Sequence, residues 1–145
     1  MTFEEELERH GGFIFTNVGD SMLPLIKQGR DVLEITKRPA GRLKKYDIPL
    51  YKAGNRYILH RILKVRESDY IIAGDHNYRK EIVTDGQIIG LLTGLTRDGK
   101  RRKLTGPKYR LYLFFRCDLY PLRAAALYMM SVLLRVKRKI TEGRR

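Results

Sequence analysis

Ser21 and the three histidines are the residues whose types and settings could support nucleophilic chemistry. Ser21 lies in Gly19-Asp20-Ser21-Met22-Leu23-Pro24, where an apolar β-type run gives way to a turn. Such a turn presents a hydroxyl beside free backbone N–H groups, and the proline fixes the chain beyond it. Ser-x-x-Pro is also ordinary turn chemistry, and Met22 suits a core position. A serine hydroxyl needs a base within hydrogen-bond reach to attack anything. Of the three histidines, His10 sits in an acidic N-terminal segment and His76 in the polar turn Gly74-Asp75-His76-Asn77. His60 is different. It interrupts the apolar run Tyr57-Ile58-Leu59-His60-Arg61-Ile62-Leu63, where strand alternation puts it on the face of Ile58 and Ile62. The same pattern also describes a hydrogen-bonded core histidine.

Order along the chain distinguishes these readings. Ser-Met-x-Pro (Ser21, Met22, Pro24) is followed by His-Arg (His60, Arg61) in a hydrophobic strand, then by Gly-Asp-x-Asn (Gly74, Asp75, Asn77). This succession resembles the type I signal peptidase family, in the archaeal and endoplasmic-reticulum branch that uses histidine where the bacterial branch has lysine. The resemblance runs from about Phe13 to Leu95. Residues Arg30–Glu34 and Asp47–Tyr51 also look like strand beginnings of that family. It implies Ser21 as nucleophile and His60 as the general base that returns the proton to the leaving amine. It also implies an acidic residue after Gly-Asp-x-Asn that orients the histidine. By spacing this is Glu81, where the family usually has aspartate, with Asp75 as the competing carboxylate.

Two departures bear on activity. The family often has serine two residues before the nucleophile, and here Gly19 stands there. The Ser21 backbone N–H is then left with fewer side-chain donors for an oxyanion, a loss that can cost ~3 kcal/mol of barrier. Family members are also usually anchored by an apolar helix before the nucleophile, whereas the 20 residues before Ser21 are acidic. The C-terminal segment is the expected substitute. On a helical wheel Arg123, Ser131, Arg135 and Arg138 share about a third of the circumference, with Leu122, Ala126, Met129, Met130 and Leu133 on the rest. With Lys137 and Lys139, this is the profile of a helix lying at an anionic membrane surface, each cation adding about 1 kcal/mol. A core-packing helix with a solvated basic end is the competing reading.

The elements that must position these groups follow from pattern and composition. Residues 2–10 predict a short acidic helix stopped at Gly11-Gly12, a lid or cap. Short β-type runs follow at Phe13–Val18, Arg30–Lys37, Asp47–Lys52, Arg56–Val65, Tyr70–Ala73 and Gln87–Arg97, and Asp98-Gly99 turns the chain into Lys100–Leu104. After Gly106-Pro107 the pattern becomes helical, interrupted by Pro121. The chain should be mainly β, a coiled, barrel-like sheet of signal-peptidase type, with a helical C-terminal extension. The catalytic domain is expected over 1–106 and the basic extension over 107–145.

With 145 residues, 43% hydrophobic and 10% aromatic, the chain is globular rather than disordered. Its net charge of +14 is concentrated: residues 96–145 hold 15 Lys/Arg against 3 Asp/Glu, and residues 1–95 hold 15 against 13. Cys117 is the only cysteine, so an intrachain disulfide is impossible, and neither metal nor organic cofactor is expected. The acidic N-terminus lacks a secretory pattern. The longest uncharged apolar stretch, Ala124–Leu134, falls short of the ~20 residues of a bilayer span.

The expected function is endoproteolysis, after small residues, of an exported or membrane-presented peptide through a serine acyl-enzyme. Its location would be peripheral on a membrane and otherwise cytoplasmic. One alternative is a self-cleaving repressor-type peptidase, which Gly-Asp-Ser-Met also resembles. Against it stand the lysine base of that group, the lack of an Ala-Gly or Cys-Gly bond before Ser21, and the shortness of the segment ahead of Ser21. The other is a non-catalytic basic module with a decayed site. Nucleic acid is disfavoured as a partner because no binding motif accompanies the charge.

Overall fold

The computed structural model describes residues 2–16 and 19–142. It is mainly β, with a curled half-barrel antiparallel sheet and a C-terminal helical region. Helix α1 (Phe3–His10) begins with a capping box between Thr2 and Glu5 and ends at Gly11, whose φ of 72° turns the chain into β1 (Gly12–Thr16). The expected continuation of this strand to Val18 lies outside the described residues. The other strands of the large sheet are β2 (Asp31–Lys37), β3 (Pro49–Ala53), β4 (Arg56–Leu59), β8 (Ile88–Arg97) and the short β9 (Lys100–Arg101). They run in the order β1-β2-β8-β3-β4, with β9 on β8, and all pairs are antiparallel. A second antiparallel sheet contains β5 (Arg61–Val65), β6 (Asp69–Ala73) and β7 (Glu81–Thr84) in that order.

Two expectations change here. The single strand expected over Arg56–Val65 is two strands in different sheets, and His60 is the one residue between them. The chain therefore turns a corner at His60. β7 was not expected, because four residues after the charged pair Arg79-Lys80 give too short a pattern to stand out.

Two apolar clusters fill the body. One contains Met22, Ile26, Leu33, Ile35, Leu50 and Leu59, and α1 closes it with Leu7 while Phe3 stacks on Phe13 at 4.7 Å. The other contains Tyr51, Ile62, Tyr70, Ile72, Val83 and Ile88. β3 serves both, since Leu50 faces the first and Tyr51 the second, and Pro49, Leu50 and Tyr51 are all buried. A bulge between Leu50 and Tyr51 shifts the register against β8 at this point, a device that re-aims side chains.

The helical region begins at α2 (Pro107–Leu113), continues through a π-helical turn over Phe114–Asp118, and bends into α3 (Tyr120–Glu142). No single helix among the described residues is long and apolar enough to cross a membrane, though the two helical segments would qualify together as a pair bent by 64°. The helical region begins at Pro107, and α2 does not stand apart from the body. Tyr109 and Tyr112 stack on each other and bond to a fully buried ion pair between Arg61 and Asp75. Arg61 Nε and Nη2 donate to Asp75 Oδ1 and Oδ2, both at 2.8 Å, and Nη1 donates to the Tyr46 carbonyl at 3.0 Å and Tyr109 Oη at 2.8 Å. Burial opposes the Arg61 charge, but Asp75 outweighs it and raises the guanidinium pKa above its ordinary range.

Removing one member of such a pair leaves an uncompensated buried charge. Asp75→Ala should lower unfolding stability by ~3–5 kcal/mol in urea titration. Glu8→Ala, which breaks an exposed pair with Lys37, should leave the midpoint almost unmoved.

Candidate active site

Ser21 and His60, remote in sequence, line one cleft of about 530 Å³ together with Asn77 and Glu81. The Ser21 side of the cleft is held by packing. Met22 is fully buried beside Ile26 in the first cluster, Leu23 N–H closes a turn onto the Asp20 carbonyl at 3.0 Å, and Pro24 follows through a cis peptide bond. Ser21 thus rides on a turn nailed down by its neighbour.

The Gly-Asp-x-Asn turn presses directly against it. His76 N–H donates to the Ser21 carbonyl at 2.8 Å, and Asn77 N–H to the Gly74 carbonyl at 3.0 Å. A Cβ at Gly74 would fall 2.5 Å from the Ser21 carbonyl oxygen and 3.1 Å from Ser21 Cβ, so only glycine lets the two turns approach this closely. The Ser21 N–H donates to no described residue. Gly19, with φ 108°, donates its N–H to Gln28 Oε1 at 3.0 Å.

His60 is 5% exposed, at the corner between the two sheets. Burial lowers its pKa, against the opposing pull of the Glu81 and Asp75 carboxylates, so the imidazole is neutral at neutral pH. Its Nδ1 lies 3.1 Å from Tyr51 Oη, and the Tyr51 hydroxyl donates to Glu81 Oε2 at 2.5 Å. Glu81 Oε1 itself is 3.8 Å from Nδ1, beyond hydrogen-bond range. No family model matches the chain, and no curated protein matches it. The chemistry of the cleft therefore stands on its geometry.

The two candidate orienting acids have separate employment. Both Asp75 oxygens are taken by Arg61, and Oδ2 also accepts from Tyr112 Oη at 2.5 Å. Glu81 is the carboxylate on the cleft, reaching the imidazole through Tyr51. Arg61 is structural, its guanidinium turned to Asp75 and the tyrosines of α2.

Arg123 needs correction as a membrane-facing cation. It donates to the Asp75 carbonyl at 2.6 Å, the Asn77 carbonyl at 2.9 Å and the Arg116 carbonyl at 3.1 Å. Three carbonyls of a helix end and a tight turn are a better match for a planar guanidinium than the outer face. Arg123 therefore ties α3 to the turn that supports Ser21. Arg135, Lys137, Arg138 and Lys139 are exposed, with Arg138 3.8 Å from Glu142. Cys117 is buried and its thiol pKa is pushed up to about 11, chiefly by burial, so it is an inert thiol. Among the described residues no group of three or more metal-type ligands is found.

Tyr51 and Arg56 escaped the sequence reading. Tyr51 stood at the end of the recognised run Asp47–Tyr51, but an aromatic residue closing an apolar strand reads as core. Arg56 lines the same cleft from the exposed start of β4.

Proposed function

We propose that the chain is a serine endopeptidase of signal-peptidase type, cleaving after small residues in a peptide presented at a membrane surface. The observation that supports this reading is the shared cleft, lined by a serine on a packed turn, a buried histidine whose pKa is lowered by burial, and a carboxylate joined to that histidine through Tyr51. In this mechanism Ser21 Oγ attacks the scissile carbonyl while His60 takes its proton. The protonated imidazole then gives the proton to the leaving amine, and a water repeats the sequence to hydrolyse the Ser21 ester. The Ser21 N–H, which donates to no other described residue, is the donor for the oxyanion in this mechanism. Peptides with small residues before the cut follow from the family resemblance of the three motifs.

The C-terminal helix supports the membrane part. Leu122, Met129, Met130, Leu133 and Leu134 are all more than half exposed, and Arg135, Lys137, Arg138 and Lys139 follow them. Exposed apolar and basic side chains on one helix suit the interface of an anionic bilayer. The protein would then be peripheral, working on substrates emerging at the headgroups. A non-catalytic basic module predicts the same adsorption without hydrolysis.

On a panel of signal-type peptides with alanine before the cut, wild type should hydrolyse and Ser21→Ala and His60→Ala should each lose at least ~10³-fold in kcat/KM. Because the base must be neutral, kcat/KM should rise with pH and level off, with a midpoint below the 6.5 of a free imidazole. Equal rates in all three proteins would refute the peptidase reading. In flotation with anionic vesicles the full chain should float and a chain ending at Pro121 should not; equal flotation would refute the interfacial helix.

A further inference from the structure

Glu81 lies too far from His60 Nδ1 to hold it, and Tyr51 fills the gap. We propose that Tyr51 is the positioning residue that fixes the tautomer of His60, passing the orienting effect of Glu81 to the imidazole through its hydroxyl. This rests on the Ser21–His60 reading and names the part of that site the three motifs do not supply.

Proton counting carries the inference. A phenol has one proton to donate. Tyr51 Oη is 2.5 Å from Glu81 Oε2 and 3.1 Å from His60 Nδ1. An ionised carboxylate only accepts, so the phenol proton belongs on the Glu81 side. The phenol oxygen must then accept, and the only proton His60 can offer is Nδ1–H. A neutral imidazole with its proton on Nδ1 has none on Nε2, which is the form a general base requires. The opposite arrangement, Tyr51 donating to Nδ1, would put two acceptors in a 2.5 Å contact.

The fold makes Tyr51 suited to this role. It is 1% exposed, lies within the second apolar cluster, and follows the bulge in β3 that sets its direction. Burial and the Glu81 hydrogen bond raise its pKa beyond the ordinary phenol range, so it remains protonated. The charged and titratable groups that act on His60 and Tyr51 are Glu81 on β7, Asp75 in the Gly74–Asn77 turn and Arg56 on β4. Asp75 is paired with Arg61, and Arg56 is an exposed residue lining the cleft.

The test is ¹⁵N NMR of the full chain labelled at histidine, read beside peptide hydrolysis. In wild type at neutral pH, His60 should carry its proton on Nδ1 with Nε2 unprotonated. Tyr51→Phe should lose this single-tautomer signature and lower kcat by ~10²-fold or more, bounded by the ~10⁴ seen for a wrong-tautomer triad, with KM little changed. Glu81→Gln keeps an acceptor for the phenol, so it should keep the tautomer while lowering the His60 pKa further. A wild-type His60 protonated on Nε2, or a Tyr51→Phe protein with unchanged tautomer and kcat, overturns the proposal. The wild-type spectrum is decisive even if Tyr51→Phe does not fold. An Nδ1–H tautomer in a protein that hydrolyses nothing would sink the peptidase reading and leave the relay standing.

Discussion

The buried ion pair between Arg61 and Asp75 is the constraint on which the cleft depends. Arg61 is the residue after His60, and Asp75 follows Gly74, which abuts Ser21. Two charges in an apolar interior cost desolvation energy that only close, fully bonded geometry offsets. Here the pair is fork to fork, and the remaining donors and acceptors go to Tyr46, Tyr109 and Tyr112. Fixing this contact fixes the distance between the corner that carries His60 and the turn that braces Ser21. It also recruits α2, so the helical region is part of what holds the site. Arg123 adds a second tie by capping the carbonyls of Asp75 and Asn77 from the start of α3.

Much of the framework was legible because it follows local rules. The acidic helix with its Gly11 stop, most strands and the turn at Asp98-Gly99 come from periodicity and from residues that accept positive φ, which is 51° at Asp98 and 73° at Gly99. The mainly β class with helices after Gly106-Pro107 followed from the same signals. The break at His60 was not legible, since an apolar run with β-type composition carries no mark where it leaves one sheet for another. β7 was hidden by its length and by the lysine and arginine before it.

The site was legible in its motif residues and opaque in its connections. Ser21, His60 and Glu81 meet in one cleft, and Asp75, read as a rival to Glu81, has a partner that sequence spacing could not reveal. Tyr51 could not be singled out because its role depends on a hydrogen bond across strands β3 and β7, not on any spacing. Arg123 shared a helical wheel with the other cations, but the wheel assigns a direction only relative to the helix axis. What lies on that side is tertiary information. The same holds for the exposed apolar residues of α3, which a wheel alone could equally have placed in a core.

The central claim is that Ser21 is a nucleophile served by His60 within this cleft, and a covalent tetrahedral adduct tests it most directly. A crystal structure of the full chain with a short peptide boronic acid ending in the alanine analogue would show which atom bonds to boron. The account requires a bond from Ser21 Oγ, with His60 Nε2 within hydrogen-bond distance of the adduct and the Ser21 N–H on a boronate oxygen. A boronate bound elsewhere, or an adduct on Ser21 with His60 turned away from it, would contradict the account.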